Sequence, residues 1–250
     1  MIHKQRQLTS ADWDLYDQIV APMKALTEGF RPNELCAKPF VSSQLITPSV
    51  MIVGYNPGKK GTNSTLWYDP HTPSAYTWAN EEFLAPKDKF LQLFHKCFMS
   101  EDWKDLVQQT PIDIVWTNLY PFHTRDKMNL DYVLDEIAKK DIDSIRHPRA
   151  TCREVIARLI VQLIRPKMVL CAGKEIHREL TNGLKAIGYT NTNPTLQFSL
   201  AKGVTYSQIG GIHVVGFNRM QSAGFYFDHL QKHTHQQDCL RKLTNFVLNT

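Results

Sequence analysis

An apolar run that stops at a glycine, Val50-Met51-Ile52-Val53-Gly54, passes directly into Tyr55-Asn56-Pro57-Gly58-Lys59-Lys60. This segment constrains the chain more than any other. A short apolar run bounded by turn residues reads as a buried strand that ends in a loop. Glycine and proline fix the backbone path there, and a neutral amide sits in the middle of it. In open α/β sheets, ligands bind in the loops at strand carboxyl ends. Asn56 therefore stands where chemistry is usually done.

The same design recurs. Asp113-Ile114-Val115-Trp116-Thr117-Asn118 is a second strand-like run that breaks at an asparagine, with Pro121 soon after. Two further runs, Met168 to Gly173 and Ile212 to Asn218, have the same shape. Three of the four meet an asparagine at or just past their ends, which predicts one cleft lined by amides. Between the runs, apolar residues recur at helical spacing. Thr9-Ser10 caps a first helix carrying Trp13, Tyr16, Val20 and Met23. Further helices carry Phe90, Leu91, Phe94 and Phe98; Leu130, Val133, Leu134 and Ile137; and Cys152, Val155, Ile156, Leu159, Ile160 and Leu163. Gly173-Lys174 opens another that ends near Gly188. A last one runs from about Asp228, with Leu230, Leu240, Leu243 and Val247 inward. Residues 195–200 and 204–208 alternate around Lys202-Gly203, as a hairpin does.

Helices alternating with strands predict an α/β fold: three layers, α/β/α, around a central, mainly parallel four-stranded sheet. The expected organisation is a single domain over residues 1–250, with residues 1–48 as an N-terminal helical layer. A hydrophobic content of 42% is enough to bury a full core. No uninterrupted apolar stretch is long enough to span a bilayer, and the first ten residues contain no apolar signal region. The expected compartment is cytoplasm, beside the nucleoid, or a nucleus where there is one. Five cysteines, odd in number and without a Cys-x-x-Cys pair, support neither a disulfide framework nor a zinc ribbon. A net charge of +5 is compatible with nucleic acid without singling it out. His229 and His233 stand one helical turn apart, with His235 and Cys239 nearby, but no carboxylate motif accompanies them. No metal or other cofactor is expected.

The order and wording of these segments resemble the uracil-DNA glycosylase superfamily. Gly54-Tyr55-Asn56-Pro57-Gly58 is similar to the first motif of its mismatch-specific and single-strand-selective branches, which reads Gly-x-Asn-Pro-Gly. Thr117-Asn118-Leu119-Tyr120-Pro121 is similar to the second-strand segment, whose Asn holds the flipped base in several branches. After the last strand, many members carry His-Pro-Ser-Pro; this chain has Asn218-Arg219-Met220-Gln221 instead.

The resemblance implies a monofunctional enzyme that hydrolyses the N-glycosidic bond of uracil, or of a mismatched or damaged base, flipped out of single- or double-stranded DNA. Asn56 would hold the attacking water. Its carbonyl oxygen can accept from a water, yet an amide is no general base at neutral pH, so its contribution is positioning. The simpler alternative is that Asn56 closes a turn beside Pro57. Asn118 donates and accepts at once, which matches the edge of a pyrimidine; capping a loop is its plainer use. Gly54, Tyr55, Pro57 and Gly58 would shape the base pocket. In place of the family's stacking Phe, Trp67 or Tyr68 is the nearest aromatic residue, within a long stretch from Gly61 to Pro86 that reads as a functional loop. Asn218 would polarise the departing base. Lys59, Lys60 and Arg219 would meet phosphates, and Met220 would fill the gap left by the extruded nucleotide. Two other readings stay open: a glycosylase-like protein that binds nucleic acid or a modified nucleotide without cleaving it, and a hydrolase of free nucleosides.

Overall fold

The computed structural model describes residues 9–26, 50–55, 114–120, 122, 127–140, 147–192, 194–217 and 234–248. Among them, α1 spans Ser10–Ala25, β1 Val50–Gly54, β2 Ile114–Asn118, α2 Lys127–Lys140 and α3 Pro148–Arg158. A π-helical turn, Leu159–Ile164, continues α3. Then come β3 Met168–Cys171, α4 Lys174–Ala186, β4 Asn191–Thr192, β5 Val204–Ile209, β6 Ile212–Phe217 and α5 Thr234–Leu248.

The four apolar runs are β1, β2, β3 and β6, and they pair in parallel in the order β2-β1-β3-β6. Continuous apolar runs suit strands covered on both faces, and the burial of alternate residues shows this directly. Met51, Val53, Val169, Cys171 and Val214 join one core with α1, α2, α3, the π turn and α4. Val50, Ile52, Met168, Leu170 and Val215 join the other with Cys239, Leu240, Leu243 and Val247 of α5. The three layers follow from this alternation. Cys152, Cys171 and Cys239 are buried free thiols. Burial pushes the Cys152 thiol up to about 12.

The sheet has six strands rather than the expected four. The two extra strands are antiparallel neighbours: β5 pairs with β6, and the two-residue β4 pairs with β5. The expected hairpin of residues 195–200 with 204–208 does not form. The two-residue turn Gly210-Gly211, both with positive φ (59° and 80°), joins β5 to β6 instead. Such a turn matches the twist of paired strands, and only glycine adopts it without strain. The chain does turn at Lys202-Gly203, where Val204 N–H donates to the Ala201 carbonyl at 3.0 Å. Before that turn, Leu196 and Phe198 pack onto the second core without joining the ladder. The Ala201 N–H there donates to Cys239 Sγ of α5 at 3.3 Å.

Local signals set the helix starts. Thr9 caps α1 in a capping box with Asp12: the Asp12 N–H donates to the Thr9 hydroxyl, and the Thr9 N–H donates to the Asp12 carboxylate. His147 caps α3, its Nδ1 accepting from the Arg149 N–H at 3.3 Å, and Pro148 occupies the first helical position.

α4 lies so close to the end of β6 that Gly216 has no room for a side chain. A Cβ there would stand 2.5 Å from both His177 Cβ and Thr205 Oγ1. Gly216→Ala is therefore expected to destabilise the protein by about 1–3 kcal/mol, the usual cost of overpacking. Thermal unfolding would check this: an unchanged melting temperature would mean that α4 can move away from the sheet freely.

Candidate active site

The parallel strands all end at one edge of the sheet, so Gly54, Asn118, Cys171 and Phe217 mark that edge. Gly54 and Asn118 form the last rung of the β1–β2 ladder. Asn118 is half-buried, and its Oδ1 is fully buried with no hydrogen-bond partner among the described residues. Among the described residues nothing replaces the water this atom has lost, and an acceptor left so costs about 1–3 kcal/mol.

Beyond the last rung, two main-chain bonds prolong the pairing. Leu119 N–H donates to the Gly54 carbonyl, and Tyr120 N–H to the Tyr55 carbonyl, both at 2.9 Å. The Tyr55 and Tyr120 rings pack edge to face with centroids 5.1 Å apart. Tyr55 is only 6% exposed and belongs to the first core, so its ring is packing rather than pocket wall.

Charged side chains from three helices close around this ring pair. The Arg149 guanidinium of α3 lies 5.6 Å from the Tyr120 centroid, and its Nη1 makes a long 3.5 Å contact to the Tyr55 hydroxyl. Its Nη2 bonds Asp131 of α2. The Tyr120 hydroxyl donates to Glu179 of α4 at 3.3 Å, and Glu179 also accepts from Arg153 at 2.7 Å. Burial first, and then the Glu179 charge, push the Tyr120 hydroxyl far above the phenol range, which keeps it a donor. Burial is the largest single influence on Arg149 and works against its charge, but the bonds to Asp131, Tyr55 and Tyr120 and the Asp131 charge together outweigh it and hold the guanidinium charged.

At β3, the carboxyl edge leads into α4 through Gly173, whose φ of 147° only glycine takes easily. One turn into α4, His177 is buried over Gly216, and its Nε2 has no partner among the described residues. Burial drives this imidazole down from the ordinary 6.5 to about 4, against a weaker opposing hydrogen bond with the Val214 backbone.

Of the residues singled out in the sequence for the site, the structure describes Gly54, Tyr55 and Asn118: Gly54 and Asn118 share the last rung, and Tyr55 follows it directly. Asn56, Pro57, Gly58, Lys59, Lys60, Trp67, Tyr68, Asn218, Arg219 and Met220 lie outside the described residues. The chain reaches Asn56 directly from Tyr55 and Asn218 directly from Phe217, and both strands concerned end at this edge. His229 and His233 also lie outside the described residues, as does the side chain of His235. Cys239 is buried in the second core.

Sequence reasoning passed over Asp131, Arg149, Arg153 and Glu179. Each is one charged residue on a helix, and no local spacing marks it. The one available signal was the His147-Pro148 helix start, which fixes where Arg149 emerges.

No curated protein matches the chain. The sequence model of the uracil DNA glycosylase superfamily matches residues 42–240, a span containing every strand and the whole edge described above. With that match over most of its length, and with a sheet of the expected parallel core, the chain belongs to the uracil DNA glycosylase superfamily.

Proposed function

We propose that the protein is a monofunctional DNA glycosylase, which flips a uracil or a mismatched base out of DNA and hydrolyses its N-glycosidic bond. The observation that carries this reading is the buried Oδ1 of Asn118, without a partner among the described residues, on the rung it shares with Gly54. A pyrimidine with a ring N–H supplies the missing donor, and the amide NH2 of the same side chain answers a ring carbonyl. A base lacking that N–H leaves the acceptor unpaired, so the site discriminates through the cost of an unmade bond.

The chemistry requires water to be broadly expelled, with one molecule kept beside the sugar. The bond between the base nitrogen and the deoxyribose carbon breaks through an oxocarbenium-like transition state. The base leaves with the electron pair, the water oxygen bonds to that carbon, and the proton the water gives up passes to solvent or to the departed base. Asn56 positions the water, and Trp67 or Tyr68 stacks on the base at about 1–3 kcal/mol. Asn218 stabilises the departing anion. Lys59, Lys60 and Arg219 contact phosphates, and Met220 fills the vacated stack.

The alternative is a glycosylase-like protein that binds a nucleic acid or modified nucleotide without cleaving it. The Asn218-Arg219-Met220-Gln221 sequence, where many members carry His-Pro-Ser-Pro, favours this second reading. One assay separates the two. Single- and double-stranded oligonucleotides bearing uracil or a mismatch, incubated with protein and then alkali, break at abasic sites if excision occurs. Breakage that falls at least tenfold in Asn56→Ala is expected. Binding without breakage on every substrate would replace the first reading with the second. Breakage unaffected by Asn56→Ala would remove Asn56 from the mechanism.

A further inference from the structure

We propose that Arg149 is a positioning residue of this site: it clamps the Tyr55–Tyr120 pair and so fixes the junction from which Asn56 and Asn118 leave the sheet. The inference rests on the glycosylase reading above for its catalytic consequence, and on geometry alone for the clamp.

The strand ladder ends at the rung of Gly54 and Asn118. Past it, two main-chain bonds and one ring pair hold the two segments together. Strand ends past the last rung open more readily than the ladder behind them unless their side chains are held. Arg149 supplies that hold. The His147 cap and Pro148 set it at the first turn of α3, and its guanidinium meets three groups at once: Asp131, the Tyr55 hydroxyl and the face of Tyr120. A planar, forked cation can do this; a lysine ammonium cannot offer a fork and a stacking face together. Glu179 accepts from the Tyr120 hydroxyl and is itself held by Arg153, one turn along the same helix as Arg149. α3 and α4 thus both hold the ring pair. Tyr55 immediately precedes Asn56, and Tyr120 lies two residues after Asn118. A displacement of the pair passes straight to the two amides, and about 1 Å of misplacement costs on the order of 10²-fold in rate.

The experiment joins hydrogen exchange to single-turnover excision of uracil from a single-stranded oligonucleotide. In Arg149→Ala, exchange at the Leu119 and Tyr120 amides should accelerate about tenfold, with Val169 and Leu170 in β3 unchanged. The excision rate should fall at least about tenfold, with oligonucleotide affinity held within about twofold. Arg149→Lys should recover less than half of either loss, because charge alone does not rebuild the clamp. Unchanged exchange and rate in Arg149→Ala would overturn the proposal. So would uniform acceleration that includes β3, or complete rescue by lysine. If the alanine variant fails to fold, Arg149→Lys and Tyr55→Phe carry the same two readouts. If the wild type excises nothing, the glycosylase reading falls, and the exchange measurement alone decides whether the clamp exists.

Discussion

Replacing Asn118 with alanine should lower excision of uracil by about 10²–10³-fold while leaving the fold as stable as before, or more so. The two halves of this expectation come from the same atom. Asn118 Oδ1 is buried with no partner among the described residues, so in the unliganded protein it is a cost rather than a bond. Deleting an unsatisfied buried polar atom relieves about 1–3 kcal/mol of desolvation, which offsets the packing lost with the side chain. An asparagine that merely capped a loop would behave in the opposite sense, with alanine destabilising the fold and any loss of activity following from that. Thermal unfolding and single-turnover excision on the same preparations decide the matter. A large drop in melting temperature with Asn118→Ala would show that the amide is structural.

Acid should weaken the fold through His177 by about 3 kcal/mol. Its pKa drops from the ordinary 6.5 to about 4 because the ring is buried between α4 and the end of β6. The direction follows from proton counting. Above pH 6.5 the ring is neutral in both states and contributes nothing to pH dependence. Below 6.5 the unfolded chain takes up a proton that the folded chain refuses until about 4, so stability declines across that interval and levels off beneath it. Other groups titrate in the same range, so the informative quantity is the difference between wild type and His177→Leu. Urea midpoints measured from neutral pH down to about 4 should fall more steeply in the wild type than in the variant. Parallel curves for the two proteins would mean that His177 protonates in the folded state as readily as in the unfolded one.

Much of the fold was legible in the sequence for one physical reason. Strands covered on both faces must be apolar on both, so β1, β2, β3 and β6 stand out as short continuous runs that end abruptly in glycine or asparagine. Helices α1, α2 and α3 announced themselves through an apolar stripe, α1 with a capped start as well, and α4 through the Gly173-Lys174 that opens it. Legibility failed where a pattern was used for something other than its usual purpose. Leu196 and Phe198 alternate as strand residues do, yet they pack onto α5 and the sheet from a segment that forms no ladder. The π turn after Arg158 was also unreadable, since Leu159 to Ile164 keep the apolar spacing of an ordinary helix end.

The same contrast holds at the site. Gly54 and Asn118 were visible because turn chemistry and strand ends are local matters. The grip on Tyr55 and Tyr120 was not. Asp131, Arg149 and Glu179 come from three helices, and what unites them is the way α2, α3 and α4 stack on one face of the sheet.

The pairing pattern also orders events in time. Val204 and Phe217 meet across a two-residue turn, whereas Val50 finds its neighbours at Ile114 and Met168. Local ribbons of the first kind close within roughly 1–10 μs, while long-range parallel rungs must first bear the entropy of closing large loops. A refolding chain is thus expected to gain its β5–β6 ribbon early and its amide-bearing edge late. Pulse-labelled exchange during refolding should protect the amides of β5 and β6 before those of Leu119 and Tyr120.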